Sequence, residues 1–307
     1  MNLVQYIWLG IYLFALAALL TYGLNCWFLI LMYRLNYPKA AKKHQHIKNA
    51  FYRSTPPQNW PHVTIQLPIY NERYVVERLI ESVCRIDWPR HLLEVQVLDD
   101  STDDTQMIAR AMVAEMKMAG IDIAYIHRTN RQGFKAGALK EGLKSAKGSL
   151  VAVFDADFIP EPDFLKESVP YFQDPQIGML QTRWGHINSD YSLLTRAQSI
   201  GIDGHFGVEQ ASRAWGGLFM NFNGTGGIWR KKTIQEAGGW QADTITEDLD
   251  LSYRAQLKGW KLMFATQVVC PAEIPVTINA FKSQQHRWAK GSIQTAKKNL
   301  GKLFRAD

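Results

Sequence analysis

The sequence predicts an α/β fold built on a doubly wound, mainly parallel β-sheet. Short apolar runs at Val63–Leu67, Leu93–Leu98 and Ile121–His127 alternate with helical patterns along the first half of the chain. A further run, Leu150–Phe154, is apolar at every position, which is typical of an interior strand covered on both faces. Strands that alternate with helices in this way form right-handed crossovers, so we expect one sheet with helices on both sides.

A long apolar stretch precedes this domain. Tyr6–Met32 contains no charged residue and exceeds the roughly 20 residues that a helix needs to cross a membrane. It has no basic residue before it and no small-residue cleavage site after it, which argues against a cleaved signal peptide. We therefore expect a transmembrane anchor over residues 1–34.

Basic residues follow the apolar stretch. Residues 35–61 are polar and basic, end in a proline-containing segment and are expected to be a linker, with the globular domain over residues 62–280. The positive-inside rule then predicts a cytosolic domain held at a plasma or inner membrane. The net charge of +7 is compatible with anionic lipid and acidic substrates as partners. Three widely separated cysteines indicate reduced thiols, namely Cys26, Cys84 and Cys270.

Two carboxylates follow the interior strand. Asp155 and Asp157 are expected at its carboxyl end, where open α/β sheets bind ligands. Carboxylates so close repel each other, and a divalent cation shared with a polyanion would relieve this, although a plain strand-to-turn junction is the alternative. No glycine-rich phosphate loop follows the first strand, which argues against a dehydrogenase or P-loop enzyme. Asp157 with its metal and Lys135 would then neutralise phosphates, unless Lys135 is a solvated residue at a helix start.

Later segments carry further candidates, each with a simpler explanation. The glycines of Phe222–Gly227 allow close approach to a ligand or a tight turn. Thr246–Asp248 opens a helix, which Thr246 could simply cap. Gln284–Trp288 lies near the start of a basic amphipathic segment, residues 281–307. We expect this segment to lie at the membrane surface, although a helix packed on the domain would look similar.

The order of these motifs resembles the processive branch of glycosyltransferase family 2, which includes the cellulose synthases and cellulose-synthase-like proteins. The resemblance covers His62–Gly291 and rests on the Asp99-Asp100 pair, D-x-D at Asp155–Asp157, T-E-D at Thr246–Asp248 and Q-x-x-R-W at Gln284–Trp288. Phe222–Arg230, Glu236–Trp240 and Thr246–Trp260 look most like the mannan and glucan synthase-like subgroup. The resemblance implies a GT-A type domain that moves a hexose from UDP-glucose or GDP-mannose to a growing β-linked glucan or mannan, with inversion.

The resemblance also implies a role for each motif. Asp157, with Asp155, would bind Mg²⁺ or Mn²⁺, and Asp248 would be the catalytic base with Glu247 beside it. The nucleotide sugar would be bound by Tyr70, Glu72, Asp99 or Asp100, Lys135, Asp155, Gln284, Arg287 and Trp288. The acceptor would contact Phe222, Asn223, Gly224, Thr225 and the indole of Trp288.

Other interpretations stay open at this point. Ceramide glucosyltransferases share the general plan, so the acceptor could be a lipid that receives a single sugar. A non-catalytic nucleotide-sugar-binding subunit is disfavoured by the joint presence of Asp157, Asp248 and Arg287. The expected partners are the donor, a glycan or lipid acceptor and membrane lipid, but no nucleic acid.

The carboxyl end departs from the family pattern. The processive relatives carry several membrane helices after Q-x-x-R-W, whereas this chain stops at Asp307. We expect it either to be truncated or to extend a glycan without translocating it. The donor base, the sugar and the oligomeric state do not follow from the sequence.

Overall fold

A seven-stranded sheet organises the domain in the computed structural model, which describes residues 2–303. The strands are β1 (Val63–Ile69), β2 (Leu93–Asp99), β3 (Ile123–His127), β4 (Leu150–Val153), β5 (Ile177–His186), β6 (Gly227–Arg230) and β7 (Lys261–Ala272). Their order is β3-β2-β1-β4-β6-β5-β7. β6 alone among these strands runs antiparallel to its neighbours, so the prediction of a mainly parallel sheet is confirmed.

Helices cover both faces of the sheet. They are α1 (Leu3–Ser54), α2 (Val76–Cys84), α3 (Thr105–Met118), α4 (Phe134–Ser145), α5 (Phe164–Ser168), α6 (Leu193–Gly204), α7 (Ala211–Trp215), α8 (Lys231–Glu236), α9 (Glu247–Gln256) and α10 (Ile278–Leu303). A π-helical turn, His205–Gln210, joins α6 to α7. This arrangement leaves the carboxyl ends of β1, β2 and β4 open on one edge of the domain.

The apolar core lies on both sides of β4. Leu150 and Ala152 belong to the cluster that packs under α2 and α3, and Val151 and Val153 belong to the cluster on the opposite face. Because successive strand residues point to opposite faces, four apolar residues in a row are what a strand buried on both sides requires. The interior position predicted for this run is therefore confirmed.

Helix α1 is much longer than the predicted anchor. Among residues 2–303 it is the one helix that is long and apolar enough to cross a membrane, and its most apolar part is not buried against the domain. The expected linker from residue 35 is wrong as far as Ser54, because the helix continues past Pro38 without a break. His44, Ile47 and Phe51 recur at helical spacing and pack on the domain, which stabilises this half of the helix.

Helix α10 carries the Q-x-x-R-W motif and packs on α9. Its buried residues are Gly291, Thr295 and Asn299, whereas Ile293 and Leu300 remain 58% and 49% exposed. The helix therefore contacts the domain on one side and leaves an apolar side free. Its placement at a membrane surface stays a prediction, and residues 304–307 of this segment lie outside the described residues.

Candidate active site

A cleft of about 810 Å³ opens at the carboxyl ends of β1 and β4. Most of the predicted site residues line it, namely Tyr70, Glu72, Asp100, Lys135, Asp155, Asp157, Asn223, Thr225, Gln284, Arg287 and Trp288. They come from strand ends, loops and helices that are far apart in the chain. The fold therefore brings the D-x-D motif, the glycine-rich loop and the Q-x-x-R-W motif to one place.

Lys135 links the D-x-D motif to the glycine-rich loop. Its Nζ lies 2.5 Å from Oδ1 of Asp155 and donates a hydrogen bond to the carbonyl of Gly224 at 2.9 Å. The backbone N–H of Asp155 in turn donates to Oγ1 of Thr225 at 2.8 Å. Burial disfavours the charge of Lys135, but the surrounding carboxylates raise the pKa of its ammonium overall. Lys135 is thus a site cation and not a solvated residue at a helix start.

The D-x-D carboxylates lie in an excess of negative charge. Burial, and next the neighbouring Asp155, raise the pKa of Asp157 to about 7. Burial and then Asp155 also raise the pKa of Glu72. A divalent cation bound here would relieve this repulsion.

The donor set fits a cation that is shared with a substrate. Among residues 2–303 no three His, Cys, Asp or Glu side chains converge closely enough to hold a metal ion by themselves. Mg²⁺ and similar hard cations are commonly bound by one or two carboxylates together with substrate phosphates and water. Asp155 and Asp157 supply such a pair at the cleft wall.

A second cavity of about 510 Å³ adjoins the cleft. Asn223, Gln284 and Trp288 line both spaces, and Asp248 lines the second one. Oδ1 of Asp248 accepts a hydrogen bond from the N–H of Leu249 at 2.8 Å. The two cavities therefore meet beside a carboxylate that could take a proton.

The T-E-D carboxylates are tuned by their surroundings. Burial raises the pKa of both Glu247 and Asp248, and the nearby Lys135 only partly offsets this. Such carboxyl groups titrate closer to neutrality than exposed ones, which suits a group that accepts a proton during a reaction. Glu247 itself does not line either cavity.

Asp99 and Asp100, the acidic pair at the end of β2, lie in different surroundings. Asp100 lines the cleft and is held by Arg128, whose Nε donates to it at 2.7 Å. Asp99 is fully buried and accepts hydrogen bonds from the N–H of Ser101 at 2.8 Å and the hydroxyl of Tyr125 at 2.5 Å. Of the two residues predicted as alternatives for nucleotide binding, the structure therefore places only Asp100 in the cleft.

Phe222 also differs from its expected place. It was predicted to contact an acceptor, but its ring is fully buried against Trp229, with the ring centroids 5.7 Å apart. Its N–H donates to Oγ of Ser252 at 2.8 Å, and that hydroxyl donates to the carbonyl of Asp248 at 2.6 Å. Phe222 therefore anchors the glycine-rich loop to α9, because an aromatic ring gains more from the core than from a wet cavity.

Thr246 does not cap helix α9. No capping hydrogen bond from its side chain is present, and its Oγ1 lies 3.2 Å from Oγ1 of Thr295 in α10. A Cβ on Gly291 would collide with the Thr246 side chain, so α10 approaches the T-E-D loop as closely as a glycine allows. The T-E-D loop thus packs directly against α10, the helix that carries the Q-x-x-R-W motif.

Several cleft residues were missed by the sequence analysis. Arg131 stacks on Tyr70, with its guanidinium carbon 3.2 Å from the ring centroid, and both line the cleft. Trp184 lines both cavities, and His205 lines the second one. The position of Trp184 near the end of a strand was an available signal, whereas His205 lies inside a helical pattern that gave none.

Comparison with known proteins identifies related sequences. Residues 61–291 match the model of the family described as glycosyltransferase like family 2. Glucomannan 4-beta-mannosyltransferase 2 of Arabidopsis thaliana is 45% identical over 252 residues, which cover 80% of this chain and 47% of that protein. Glucomannan 4-beta-mannosyltransferase 1 of Oryza sativa subsp. japonica is 44% identical over 251 residues, which cover 80% of this chain and 48% of that protein. The chain thus spans about half the length of the curated relatives it matches, and they confirm the resemblance to mannan synthase-like proteins.

A solved structure shares the fold. The mannosyltransferase PcManGT from Pyrobaculum calidifontis, solved in complex with GDP-Man and Mn2+, superposes with a TM-score of 0.66 at 23% sequence identity. The match covers 89% of this chain and 74% of that one. This likeness confirms the α/β fold of GT-A type with a mainly parallel sheet.

Proposed function

Since this chain belongs to glycosyltransferase-like family 2, we propose that it transfers mannose from GDP-mannose to a growing β-linked mannan or glucomannan. The names of the relatives support the choice of sugar and product. The observation that carries the proposal is the meeting of the two cavities beside Asp248. A transferase needs a donor space and an acceptor space that share one reacting centre, and two adjoining cavities support this assignment.

The larger cleft is proposed to bind the nucleotide sugar. Asp155 and Asp157 would hold Mg²⁺ or Mn²⁺, which when bound neutralises the charge that develops on the leaving diphosphate. Arg287 lines the same cleft, and within residues 2–303 the one hydrogen bond of its side chain is to Oγ of Ser283, at 3.3 Å. Its planar fork is therefore available for two phosphate oxygens, and Lys135 supplies a second cation.

The nucleobase and the ribose of the donor are proposed to lie near the carboxyl ends of β1 and β2. The Tyr70 ring with Arg131 stacked on it offers a flat surface at this end of the cleft. Asp100 and Glu72 provide carboxylate oxygens for ribose or base donors. These side chains could therefore bind a nucleotide in a protein that has no glycine-rich phosphate loop.

The smaller cavity is proposed to hold the acceptor end of the glycan. Asn223 lines both cavities and Thr225 lines the larger cleft, and with Gly224 between them they would form the junction with the donor. Trp288, which is 38% exposed, offers a face on which a sugar ring stacks. Asp248 would take the proton of the acceptor hydroxyl while that oxygen attacks the anomeric carbon. The carbon–oxygen bond to the diphosphate breaks as the new β-linkage forms, so the configuration inverts and no covalent enzyme intermediate is needed.

Helix α1 is proposed to anchor the domain in a membrane. Its exposed apolar half meets the length requirement for a span, and the basic residues that follow favour a cytosolic domain. Membrane attachment would keep the acceptor end close to the bilayer. The exposed apolar half of α1 is also the reason to propose membrane lipid as a partner of this chain.

A donor screen tests the proposal. The detergent-solubilised chain is incubated with Mn²⁺, β-mannan oligosaccharides and either GDP-mannose or UDP-glucose, and nucleoside diphosphate release and product mass are measured together. We expect GDP-mannose to extend the oligosaccharide, and Asp248→Asn to lower transfer about 10²–10⁴-fold while donor binding is retained. Asp243→Asn, an exposed acid in the loop before α9, is the matched control and should transfer normally.

Other results would revise the proposal in defined ways. Transfer by Asp248→Asn at the normal rate would exclude Asp248 as the base. A single sugar added to a lipid and none to oligosaccharides would replace the glycan acceptor by a lipid. Donor binding without any turnover of either nucleotide sugar would indicate a binding subunit and overturn the proposed enzyme.

A further inference from the structure

A third cavity, of about 180 Å³, lies between α1 and the body of the domain. Asn36, Lys39 and Lys43 of α1 form one wall, and Gln267 of β7 faces them. Trp215 and Phe264 add an apolar floor. The space shares no lining residue with the two cavities of the candidate active site.

The cavity carries positive charge that nothing nearby neutralises. Within residues 2–303, Lys39 and Lys43 have no carboxylate partner within 4.0 Å. The acid near His44 is Glu167, and it is already paired with Lys48. Burial lowers the pKa of His44, so this lining residue adds no charge at neutral pH. Nδ2 of Asn36 already donates to the carbonyl of Met32 at 2.9 Å, which leaves its second N–H. That N–H, the amide of Gln267 and the two ammonium groups without an ion-pair partner are a donor set for an anion.

The depth of the cavity relative to a membrane follows from α1 and α7. Oγ of Ser212 in α7 donates to the carbonyl of Leu29 at 2.7 Å, so α7 lies level with the end of the apolar stretch. The rings of Tyr33 and Trp215 stack with centroids 5.7 Å apart, and Tyr37 joins them at 5.3 Å from Tyr33. Tyr and Trp are enriched at the headgroup level of membranes. The aromatic cluster therefore marks the interface on the membrane side of the cavity.

The lysines lie close enough to this interface to reach it. Lys39 stands about 10 Å along the helix axis from the last residue of the apolar stretch, at 1.5 Å per residue. Helical side chains tilt toward the amino terminus of their helix, which for α1 is the membrane side. Long basic side chains near a helix end commonly extend to the headgroup layer in this way.

We propose that this cavity binds the phosphate-bearing headgroup of an anionic glycerophospholipid. Lys39 and Lys43 neutralise the phosphate, Asn36 and Gln267 donate hydrogen bonds to the headgroup, and Trp215 covers the glycerol. The acyl chains leave along the exposed apolar surface of α1, where Leu31 and Leu35 are 55% and 60% exposed. A lipid held between α1 and β7 fixes the angle of the domain to the membrane.

A matched pair of double variants tests the lipid site. Wild-type protein, Lys39→Gln/Lys43→Gln and Arg34→Gln/Lys42→Gln are titrated in neutral detergent with tail-labelled phosphatidylglycerol, and bound lipid is measured by fluorescence anisotropy. The second pair removes the same charge from the same helix but from residues that do not line the cavity. We expect the first pair to weaken binding about tenfold or more, and the second pair to bind like wild type within about twofold.

The remaining outcomes decide against the proposal. Equal weakening in both pairs, or equal binding of phosphatidylcholine, would show general attraction to the basic helix. Inorganic phosphate that occupies the cavity as well as the lipid, with no gain from the acyl tails, would assign the site to a soluble anion. Because no donor or acceptor is present, the result is independent of the proposed mannosyl transfer.

Discussion

At the scale of single residues, one backbone position controls the space around Asp248. Gly224 has φ +88°, and a Cβ placed on it would lie 3.0 Å from Oδ2 of Asp248 and 3.4 Å from Nζ of Lys135. Its carbonyl also accepts the hydrogen bond of Lys135. The loop therefore brings the cation and the candidate base together only while residue 224 has no side chain.

Gly224→Ala is expected to lower activity far more than stability. The left-handed backbone alone costs about 1–2 kcal/mol for a residue with a Cβ. The displacement of Asp248 from its reactive position adds a loss of transfer of about 10²-fold. Gly259→Ala is the matched control, because its φ is +84° and nothing lies within 4 Å of its Cβ.

The comparison uses two measurements for each variant. Thermal unfolding should shift by a similar amount in both, and the initial rate of transfer should fall only in Gly224→Ala. If the rates fell equally, the contact with Asp248 would have no special role.

The same scale shows why the sequence could not assign every site residue. Asp99 and Asp100 are adjacent, and consecutive residues at a strand end point to opposite sides. Which of them faces the cleft depends on the register of β2, in which Asp99 pairs with Ile69 of β1 and His127 of β3. The motif predicts an acidic pair at the right place, but the choice between its members needs the neighbouring strands.

At the scale of elements, a buried ion cluster ties α9 to α10. Asp250 is fully buried and accepts hydrogen bonds from Nε of Arg254 at 2.8 Å, Nδ2 of Asn299 at 2.9 Å and Nζ of Lys298 at 3.0 Å. Burial opposes its ionisation, but these donors lower the pKa of Asp250 overall. The cluster holds the helix of Arg287 against the helix of Asp248.

Asp250→Asn is expected to loosen this contact strongly. Removal of one partner from a buried charged cluster costs about 3–5 kcal/mol, because the remaining charges stay buried without compensation. The freed α10 should also raise the KM for the nucleotide sugar, since it carries Arg287. Thermal unfolding and donor KM are the two measurements.

A second partner of the same lysine supplies the control. Asp243 contacts Nζ of Lys298 at 2.7 Å but is 58% exposed. Exposed ion pairs contribute little, so Asp243→Asn should change stability by about 0.5 kcal/mol or less and leave the donor KM unchanged. Similar effects of the two substitutions would contradict a special role for the buried acid.

Elements also mark the limit of sequence-based prediction. The alternation of apolar runs and helices identified β1 to β4, because that pattern is local. The antiparallel direction of β6 depends on how the chain returns after α7, which no residue within Gly227–Arg230 specifies. The helical continuation of α1 to Ser54 was missed because basic residues and the proline-containing segment that follows them suggested a linker, although Lys and Arg are good helix formers.

At the scale of the whole molecule, the charge of the site opposes the charge of the chain. The protein has a net charge of +7, yet four carboxylates surround Lys135 at the candidate active site, namely Asp155, Asp157, Glu247 and Asp248, and Glu72 lies near the first two of them. A positive chain attracts a nucleotide diphosphate over long distances, whereas a negative site binds that anion only together with a cation. The donor and the divalent cation are therefore expected to bind cooperatively.

This charge arrangement predicts a pH dependence of stability when no divalent cation is present. In the folded protein the pKa of Asp157 is raised to about 7 by burial and by Asp155. Between its ordinary value and about 7, the folded state therefore binds more protons than the unfolded state, and the contribution of Asp157 to stability falls as the pH rises. His44 and His62, whose pKa is lowered by burial, act in the opposite direction.

Comparison with Asp157→Asn isolates the carboxylate from the histidines. In EDTA, the variant and the wild type should unfold at similar temperatures below about pH 4, where the carboxyl of Asp157 is protonated in the folded and for the most part in the unfolded protein, and the variant should become more stable by a few degrees toward about pH 8. Mn²⁺ with GDP should reverse this order, because the metal binds the deprotonated carboxylate that the variant lacks. Thermal unfolding in detergent across this pH range measures both effects. An advantage of the variant in EDTA that shrinks as the pH rises would show that Asp157 is not destabilised by its neighbours and would remove the electrostatic argument for a cation at the D-x-D motif.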